Sequence, residues 1–231
     1  NSPSSGGYYL NPLVNIYGFP RGMDMAPYRD NFELYDADRN MNLQNWYVTN
    51  EDGSISEWDQ NPYWIKNRVT NRNKRYRAMA SLTANVKVNS WFTLQARGNV
   101  DFVSDKFENK MYASTSPNIA GTYDGLMNGR YVWSDSQNFQ VYGDLMAMFN
   151  KTFNKFSING AVGTSINATT ANSLMIDSKL ASLYHPNVFT VPNVVSTSKA
   201  AISHTIDSKR TIQSVFATAQ LGWDEMLYLD L

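Results

Sequence analysis

The residues that could carry chemistry are few and widely spaced. The chain has no cysteine, and its two histidines, His185 and His204, stand in loop-like sequence without a second metal ligand beside them. The segment 36–42 begins like a calcium loop, Asp-x-Asp-x-Asn, but Met41 replaces the required glycine and Tyr47 the bidentate glutamate. We therefore predict a solvated turn at this segment, and we expect no metal or other cofactor.

The motifs of common enzyme classes are not found either. The sequence has no nucleophile elbow, phosphate-binding loop or dinucleotide-binding glycine pattern, and no nucleophile–base pair or paired carboxylates stand out. Lys and Arg together number 20, as do Asp and Glu, so the formal net charge is zero. A protein that binds nucleic acid by neutralising phosphates needs a basic surplus. We expect neither an enzyme nor a nucleic-acid partner.

Aromatic side chains are the more informative group, with 11 Phe, 6 Trp and 14 Tyr. Rings in the first part of the chain are candidates for contact with a ligand or a partner, because they suit the apolar faces of sugars and act as anchors at protein interfaces. Alternatively, these rings pack on one another and hold a long loop together. The sequence leaves both interpretations open and favours packing for most of the candidates, which are Trp46, Tyr47, Trp58 and Trp64.

The elements that position these residues become regular at Arg75. Apolar and polar residues alternate strictly over 76–88, and the pattern repeats over 92–102 after a turn at Asn89-Ser90. This alternation is typical of a strand with one apolar and one polar face. Similar runs predict further strands at 138–150, 156–166 and 211–221, followed by a sixth, incomplete strand at 226–231.

Short and long connections alternate between the predicted strands. The turns at Asn89-Ser90, 152–155 and 223–225 are short, whereas the segments 104–137 and 167–210 are long. Outer-membrane barrels place short turns on the periplasmic side and long loops on the extracellular side, which a soluble sandwich has no reason to do. The first strand spans roughly 43 Å at about 3.3 Å per residue, which suits a tilted strand that crosses a bilayer.

These patterns predict an all-β fold, namely an antiparallel transmembrane β-barrel segment of about six strands with long extracellular loops. Residues 1–74 keep no period and are predicted to be a loop-rich extracellular excursion with one strand or short helix near 28–35, while 75–231 supply the barrel strands. Aromatic residues expected at strand ends, where barrels carry aromatic girdles, support this prediction. They are Trp91, Phe92, Phe102, Trp223 and Tyr228. The alternative is a soluble or cell-surface β-sandwich that binds glycans.

Several motifs resemble those of one family. Asn61-Pro62-Tyr63-Trp64, followed by Asn67, by Asn71-Arg72 and by the hairpin 75–101, resembles the mid-barrel segment of SusC/RagA-type TonB-dependent outer-membrane transporters. The stretches 189–193 and 221–230 are similar to other elements of that family. In the family the second stretch runs into Arg-Asn-Asp-Trp-Ser, which this chain lacks. The resemblance covers most of 60–231 and is looser over 1–59.

The resemblance implies a piece of a 22-stranded, plugged barrel that imports nutrients. Family members take up glycans or peptides, work with a SusD-like surface lipoprotein, and draw energy from TonB through the plug. This chain contains neither plug nor TonB box, and six strands cannot close a barrel, because outer-membrane barrels start at eight. We therefore expect part of a longer importer in the outer membrane of a Gram-negative cell, one that binds and passes its substrate without covalent chemistry.

The two faces of the strands receive different predictions. The apolar face, which includes Ala96, is expected to meet outer-membrane lipid, because a charge near the midplane of that face costs about 2–4 kcal/mol. The polar face is expected to face the lumen or the plug, where charged side chains are tolerated. The residues predicted to lie there are Arg77, Lys87, Gln95, Arg97, Asn99, Asp101 and Asp144.

Overall fold

The computed structural model describes residues 4–5, 8–9, 13–56, 59–116, 128–178, 183–195 and 201–231. No helix in these ranges is long and apolar enough to cross a membrane. The elements in chain order are β1 (Ser4–Ser5), β2 (Tyr8–Tyr9), α1 (Leu13–Tyr17), α2 (Ala26–Asp30), β3 (Glu33–Asp36), β4 (Met41–Gln44), α3 (Pro62–Arg68), β5 (Val69–Lys87), β6 (Phe92–Met111), β7 (Arg130–Phe153), β8 (Phe156–Asp177), α4 (Val191–Val195), β9 (Ala201–Trp223) and β10 (Leu227–Asp230).

Strands β5 to β10 form one antiparallel sheet in the order β10-β9-β8-β7-β6-β5, so each strand pairs with its neighbours in sequence. This arrangement confirms the predicted all-β class. It also places the three short turns at one end of the strands and the two longer connections at the other. The six strands lie in one sheet rather than in two facing sheets, and the other described strands form only the two-stranded sheets β1-β2 and β3-β4. The sandwich alternative therefore finds no support in the described part of the chain.

Residues with positive φ close two of the short turns. Asn154, between β7 and β8, has a φ of 53°. Between β9 and β10, Asp224 and Glu225 have φ values of 53° and 58°, and the Met226 N–H donates to the Trp223 carbonyl at 3.0 Å. Two successive positive φ values are typical of a type I′ turn, whose twist matches that of the strands it joins. Both turns lie where the sequence predicted short connections.

The long connections are shorter than predicted. The loops expected at 104–137 and 167–210 span 112–129 and 178–200, because β6 to β9 extend into them. The alternation that marks a strand in the sequence is lost there, since charged residues stand on both faces, as with Asp105 and Lys106. Backbone pairing continues where the hydrophobic pattern ends. For the same reason Phe102, expected at a strand end, lies within β6.

Two compact units divide the chain. Unit 1 comprises 1–74, 105–135 and 174–204, and unit 2 comprises 75–104, 136–173 and 205–231. The first 74 residues contain more regular structure than the single strand or helix that was expected, with α1, α2, α3 and two small hairpins. The longest of these helices, α3, has 7 residues. Elements this short cannot establish a hydrophobic period in the sequence.

Unit 1 contains an apolar core built from strand ends and connections. It consists of Tyr131, Ile176, Leu183 and Val194, against which Trp133, Leu174 and Phe189 pack. Gly129 allows the connection to enter this core, because its φ is +96° and an added Cβ would meet the Met111 carbonyl oxygen at 2.6 Å. Only glycine accepts both conditions without strain.

In unit 2, a glycine explains an irregularity of β9. Phe216 interrupts the polar series of Ser214, Thr218 and Gln220 on one face of the strand. Its ring covers Gly163 of β8, where a Cβ would collide with the ring carbons. The missing side chain at Gly163 therefore makes room for an aromatic ring on the polar face.

Candidate functional site

The apolar face of unit 2 is uncovered. Leu82 is 75% exposed and Val215 is 82% exposed, and the face continues over neighbouring strands through Val86, Leu94, Leu145, Val162 and Ile166, all exposed. Soluble monomers rarely expose a continuous apolar patch of this extent, and such patches mark contact with a partner or a membrane. The described part of unit 2 therefore needs an apolar environment on this side.

The opposite face carries ion pairs between neighbouring strands. Arg77 of β5 donates to Asp101 of β6 from Nε at 2.9 Å and from Nη2 at 2.6 Å. Arg97 of β6 donates from Nε to the two carboxylate oxygens of Asp144 of β7, at 3.1 and 2.9 Å. In each pair both partners stand on the face that the alternation predicts to be polar.

Amides extend this series across the same face. Gln95 Nε2 donates to Asn85 Oδ1 at 2.7 Å, and Gln140 Nε2 donates to Asn167 Oδ1 at 3.0 Å. We call this set of ion pairs and amide pairs the polar ladder. Five of the residues predicted for this face belong to it, namely Arg77, Gln95, Arg97, Asp101 and Asp144. The other two, Lys87 and Asn99, are exposed and share the face by strand alternation.

Two of the aromatic candidates are buried within unit 1. Trp46 is buried and packs against Phe19, Tyr28 and Tyr47, with ring centroids 5.3, 5.5 and 5.0 Å away. Trp64 is fully buried. The prediction that Trp46 and Trp64 contact a ligand or partner is therefore wrong, because their rings are enclosed by unit 1 itself. Packing, the other interpretation, is correct for both.

The remaining two aromatic candidates are less enclosed or lie elsewhere. Tyr47 is half-buried, and its hydroxyl donates to the Gly18 carbonyl at 3.4 Å. Trp58 lies outside the described residues. Tyr47 is therefore the one candidate of the four, among those described, that keeps a partly accessible ring.

Asn61 connects the elements around the asparagine-proline-aromatic motif. Its Oδ1 caps α3 by accepting the Tyr63 N–H at 2.8 Å, which satisfies one of the free donors at a helix start. Its Nδ2 donates to the carbonyls of Tyr28 and Asn45 at 2.8 and 2.6 Å. The motif that carries the family resemblance thus has a structural task in unit 1.

A second motif, at 189–193, also stabilises a connection. Asn193 Oδ1 accepts the His185 N–H at 2.8 Å, and Asn193 Nδ2 donates to the carbonyls of His185 and Val188 at 2.9 and 2.6 Å. Asn187 Oδ1 accepts the Ala113 N–H at 2.7 Å, which ties together the two long connections. Side-chain amides thus replace the backbone partners that loops lack.

The calcium-like segment forms the turn between β3 and β4, which confirms the predicted turn. Asp36 Oδ1 accepts the Arg39 N–H at 3.1 Å, and Asn40 has a φ of 50°, a conformation that asparagine tolerates. In the described ranges, no three His, Asp or Glu side chains converge to hold a metal ion.

An ion pair that the sequence did not reveal joins α3 to β3. Arg68 donates to both oxygens of Glu33 at 2.7 Å, its guanidinium lies 5.0 Å from the Tyr112 ring, and Asn42 Nδ2 donates to Glu33 Oε1 at 3.0 Å. A polar cleft of about 400 Å³ opens beside it. The hydrogen bond from Arg68 holds the pKa of Glu33 below its usual range, against the opposite effect of partial burial. A separation of 35 residues hides this pair from sequence patterns.

We expect Glu33→Gln to destabilise unit 1 by about 1–3 kcal/mol at neutral pH, because Arg68 loses a charged acceptor. A lowered pKa means that the contribution of Glu33 is present above the unfolded value, about 4.3, and is lost as the pH falls through the folded value. Hydrogen exchange of 33–44 should therefore differ between wild type and variant at pH 7 and converge in acid. An undiminished difference in acid would contradict the charge-based explanation.

Comparisons with known proteins show a fold relation. No protein-family model matches the sequence, and no curated protein matches it. A structure of the RagAB peptide transporter is similar over 79% of this chain and 20% of its own, at 16% identity and a TM-score of 0.61. A structure of the RagAB peptide importer in the "closed-closed" state is similar over 74% of this chain and 18% of its own chain, at 16% identity and a TM-score of 0.56. A structure of the same importer in the "open-open" state is similar over 89% of this chain and 23% of its own chain, at 15% identity and a TM-score of 0.54.

The chain thus spans about a fifth of the length of the solved structures it matches. At this level of identity the similarity shows a shared fold.

Proposed function

We propose that the chain forms part of the barrel wall of a TonB-dependent importer in the outer membrane of a Gram-negative cell. The observation that carries this proposal is a sheet that shares its fold with part of a peptide transporter and has one uncovered apolar face opposite the polar ladder. A barrel wall needs this division, because one side meets lipid and the other an aqueous lumen. In the proposal, the face with Leu82 and Val215 borders lipid and the polar ladder borders the lumen.

The proposal assigns an orientation to the strand ends. The connections 112–129 and 178–200 lie on the extracellular side, because outer-membrane barrels carry their longer loops there. A SusD-like lipoprotein contacts these connections, and TonB acts through the plug of the full-length protein. The type I′ turn at Asp224-Glu225 and the other short turns face the periplasm.

Peptides are the substrate class that we propose, because the solved structures with this fold are described as a peptide transporter and importer. Glycans are the alternative that the family resemblance leaves open. The protein binds its substrate and passes it inward without covalent chemistry, so we propose no enzymatic activity.

Cells that contain the full-length importer and its lipoprotein should accumulate a fluorescently labelled peptide, and cells that lack either protein should not. Uptake is measured as protease-resistant fluorescence inside the cells, with a labelled oligosaccharide of similar mass as the competing substrate. In the same cells, external protease should cut within 178–200 when the lipoprotein is absent.

Three results would contradict the proposal. Recovery of the importer in the soluble fraction would contradict the transmembrane barrel. Uptake of the oligosaccharide alone would show that the substrate is a glycan and not a peptide. Cleavage at 88–91 instead of 178–200 would show that the short turns, and not the long connections, lie on the extracellular side.

A further inference from the structure

The two ion pairs of the polar ladder expose their partners unequally. The Arg77 side chain is 54% exposed and that of Asp101 19%. The difference is larger in the other pair, where the Arg97 side chain is 44% exposed and that of Asp144 is fully buried. The carboxylates lie beneath the guanidinium groups, so an approaching molecule meets hydrogen-bond donors on this face.

The geometry of Arg97 leaves donors for a second acceptor. Both of its bonds to Asp144 come from Nε, and Tyr142 is hydrogen-bonded in the same cluster. A single tyrosine hydroxyl cannot occupy all four N–H groups of the terminal amino groups, so donors remain there. A guanidinium held at one edge and exposed at the other is prepared for a carboxylate, because its remaining N–H groups are oriented before the ligand arrives.

Cationic side chains are frequent on this face. On β5 to β7 within unit 2, alternation places Arg75, Arg77, Lys87 and Arg97 on the face of the polar ladder. Asp101 and Asp144 share this face within unit 2, and Asp105 follows on the same face of β6. Because the guanidinium groups of Arg77 and Arg97 are more exposed than the carboxylates they pair with, the accessible charge of the two ion pairs is positive, which attracts an acidic partner.

We propose that Arg77 and Arg97 bind carboxylate groups of acidic peptides that pass through the importer. The inference rests on the proposed function, since it names the substrate class for the face assigned to the lumen. Arg97 and Asp101, the partner of Arg77, are four residues apart on β6, a distance of about 13 Å at roughly 3.3 Å per residue. An extended peptide with acidic side chains four residues apart matches this spacing.

The test uses the full-length importer, purified with its lipoprotein, and two labelled decapeptides. One has glutamates four positions apart, and the other has glutamines in their place. Removing both ion pairs together, with Arg77→Gln, Asp101→Asn, Arg97→Gln and Asp144→Asn, avoids leaving a buried carboxylate unpaired. We expect the affinity for the acidic peptide, measured by fluorescence anisotropy, to fall by about tenfold or more and that for the glutamine peptide by less than about twofold.

Two controls accompany this variant. Lys106→Gln removes one positive charge from unit 1, where Lys106 lies 3.6 Å from Asp135, and should leave both affinities unchanged. Arg97→Lys keeps the charge but loses the planar donor edge, and should retain part of the preference for the acidic peptide.

Different outcomes separate the inference from the proposed function. Equal binding of the two peptides by the wild type overturns carboxylate recognition while import of peptides stands. An equal loss of affinity for both peptides in the fourfold variant also overturns it, because the arginines then support the importer's own plug or wall. A wild-type importer that transports neither peptide contradicts the proposed function and this inference with it.

Discussion

Replacing Trp64 with alanine is expected to lower the free energy of unfolding of unit 1 by about 3–5 kcal/mol, the usual cost of removing a large aromatic side chain from a core. Trp64 is fully buried, and its Nε1 donates to Thr115 Oγ1 at 3.0 Å. The Thr115 hydroxyl in turn donates to the Tyr112 carbonyl at 2.7 Å. The substitution therefore removes both a buried apolar side chain and the contact that joins α3 to the connection after β6.

Hydrogen–deuterium exchange of the detergent-solubilised protein measures this effect, with residues 62–68 and 111–116 as reporters. Tyr17→Ala is the matched control, because Tyr17 is an aromatic residue of unit 1 that is 88% exposed, and its removal should change stability by less than about 0.5 kcal/mol. Trp64→Phe should fall between the two, since it keeps most of the ring but loses the Nε1 donor. Unchanged protection in Trp64→Ala would show that α3 does not depend on this residue.

The sequence predicted well which residues share a strand face and predicted the strand ends poorly, and both results have the same cause. Alternation shows which residues stand on the same face, so it placed Arg97 and Asp144 together, in agreement with their contact. Where both faces are polar, as at Asp105 and Lys106, the alternation is lost, although the strand continues to Met111. Strand ends are fixed there by hydrogen bonds that any residue can make.

The arrangement of unit 1 could not be predicted because its contacts join distant parts of the chain. Asn61 contacts the Tyr28 carbonyl across 33 residues, and Trp64 contacts Thr115 across 51. The residue type gave no help either, since tryptophan suits a buried core as well as an exposed binding surface. The local motif at 61–64 predicted a family and a position in the fold, whereas the exposure of its tryptophan depended on segments that fold over it.

An arginine introduced on the apolar face should destabilise the barrel, whereas the loss of an arginine from the polar face should have little effect on assembly. If the apolar face borders lipid, as proposed, Ala96→Arg near the middle of the membrane costs about 2–4 kcal/mol. A steric clash does not explain this cost, because Ala96 lines two open grooves of about 610 and 580 Å³. Arg97→Ala, made together with Asp144→Ala so that no carboxylate is left unpaired, should affect assembly much less. The yield of folded barrel in outer-membrane fractions measures both variants.

Cysteines placed one at a time test the same assignment, with Asp144→Asn added to the variant at position 97 so that no buried carboxylate is left unpaired, and the chain has no cysteine that would interfere. A membrane-impermeant, water-soluble thiol reagent should label a cysteine at position 97 in the purified importer and leave one at position 96 unreactive, because the reagent reaches an aqueous lumen but does not enter hydrocarbon. With a lipid-soluble reagent, the cysteine at position 96 should be labelled more readily than the one at position 97. Ready labelling at 96 and protection at 97 by the water-soluble reagent would show that the faces are inverted. The exposed Leu82 and Val215 would then need a protein partner to cover them, because lipid would no longer lie on their side of the sheet.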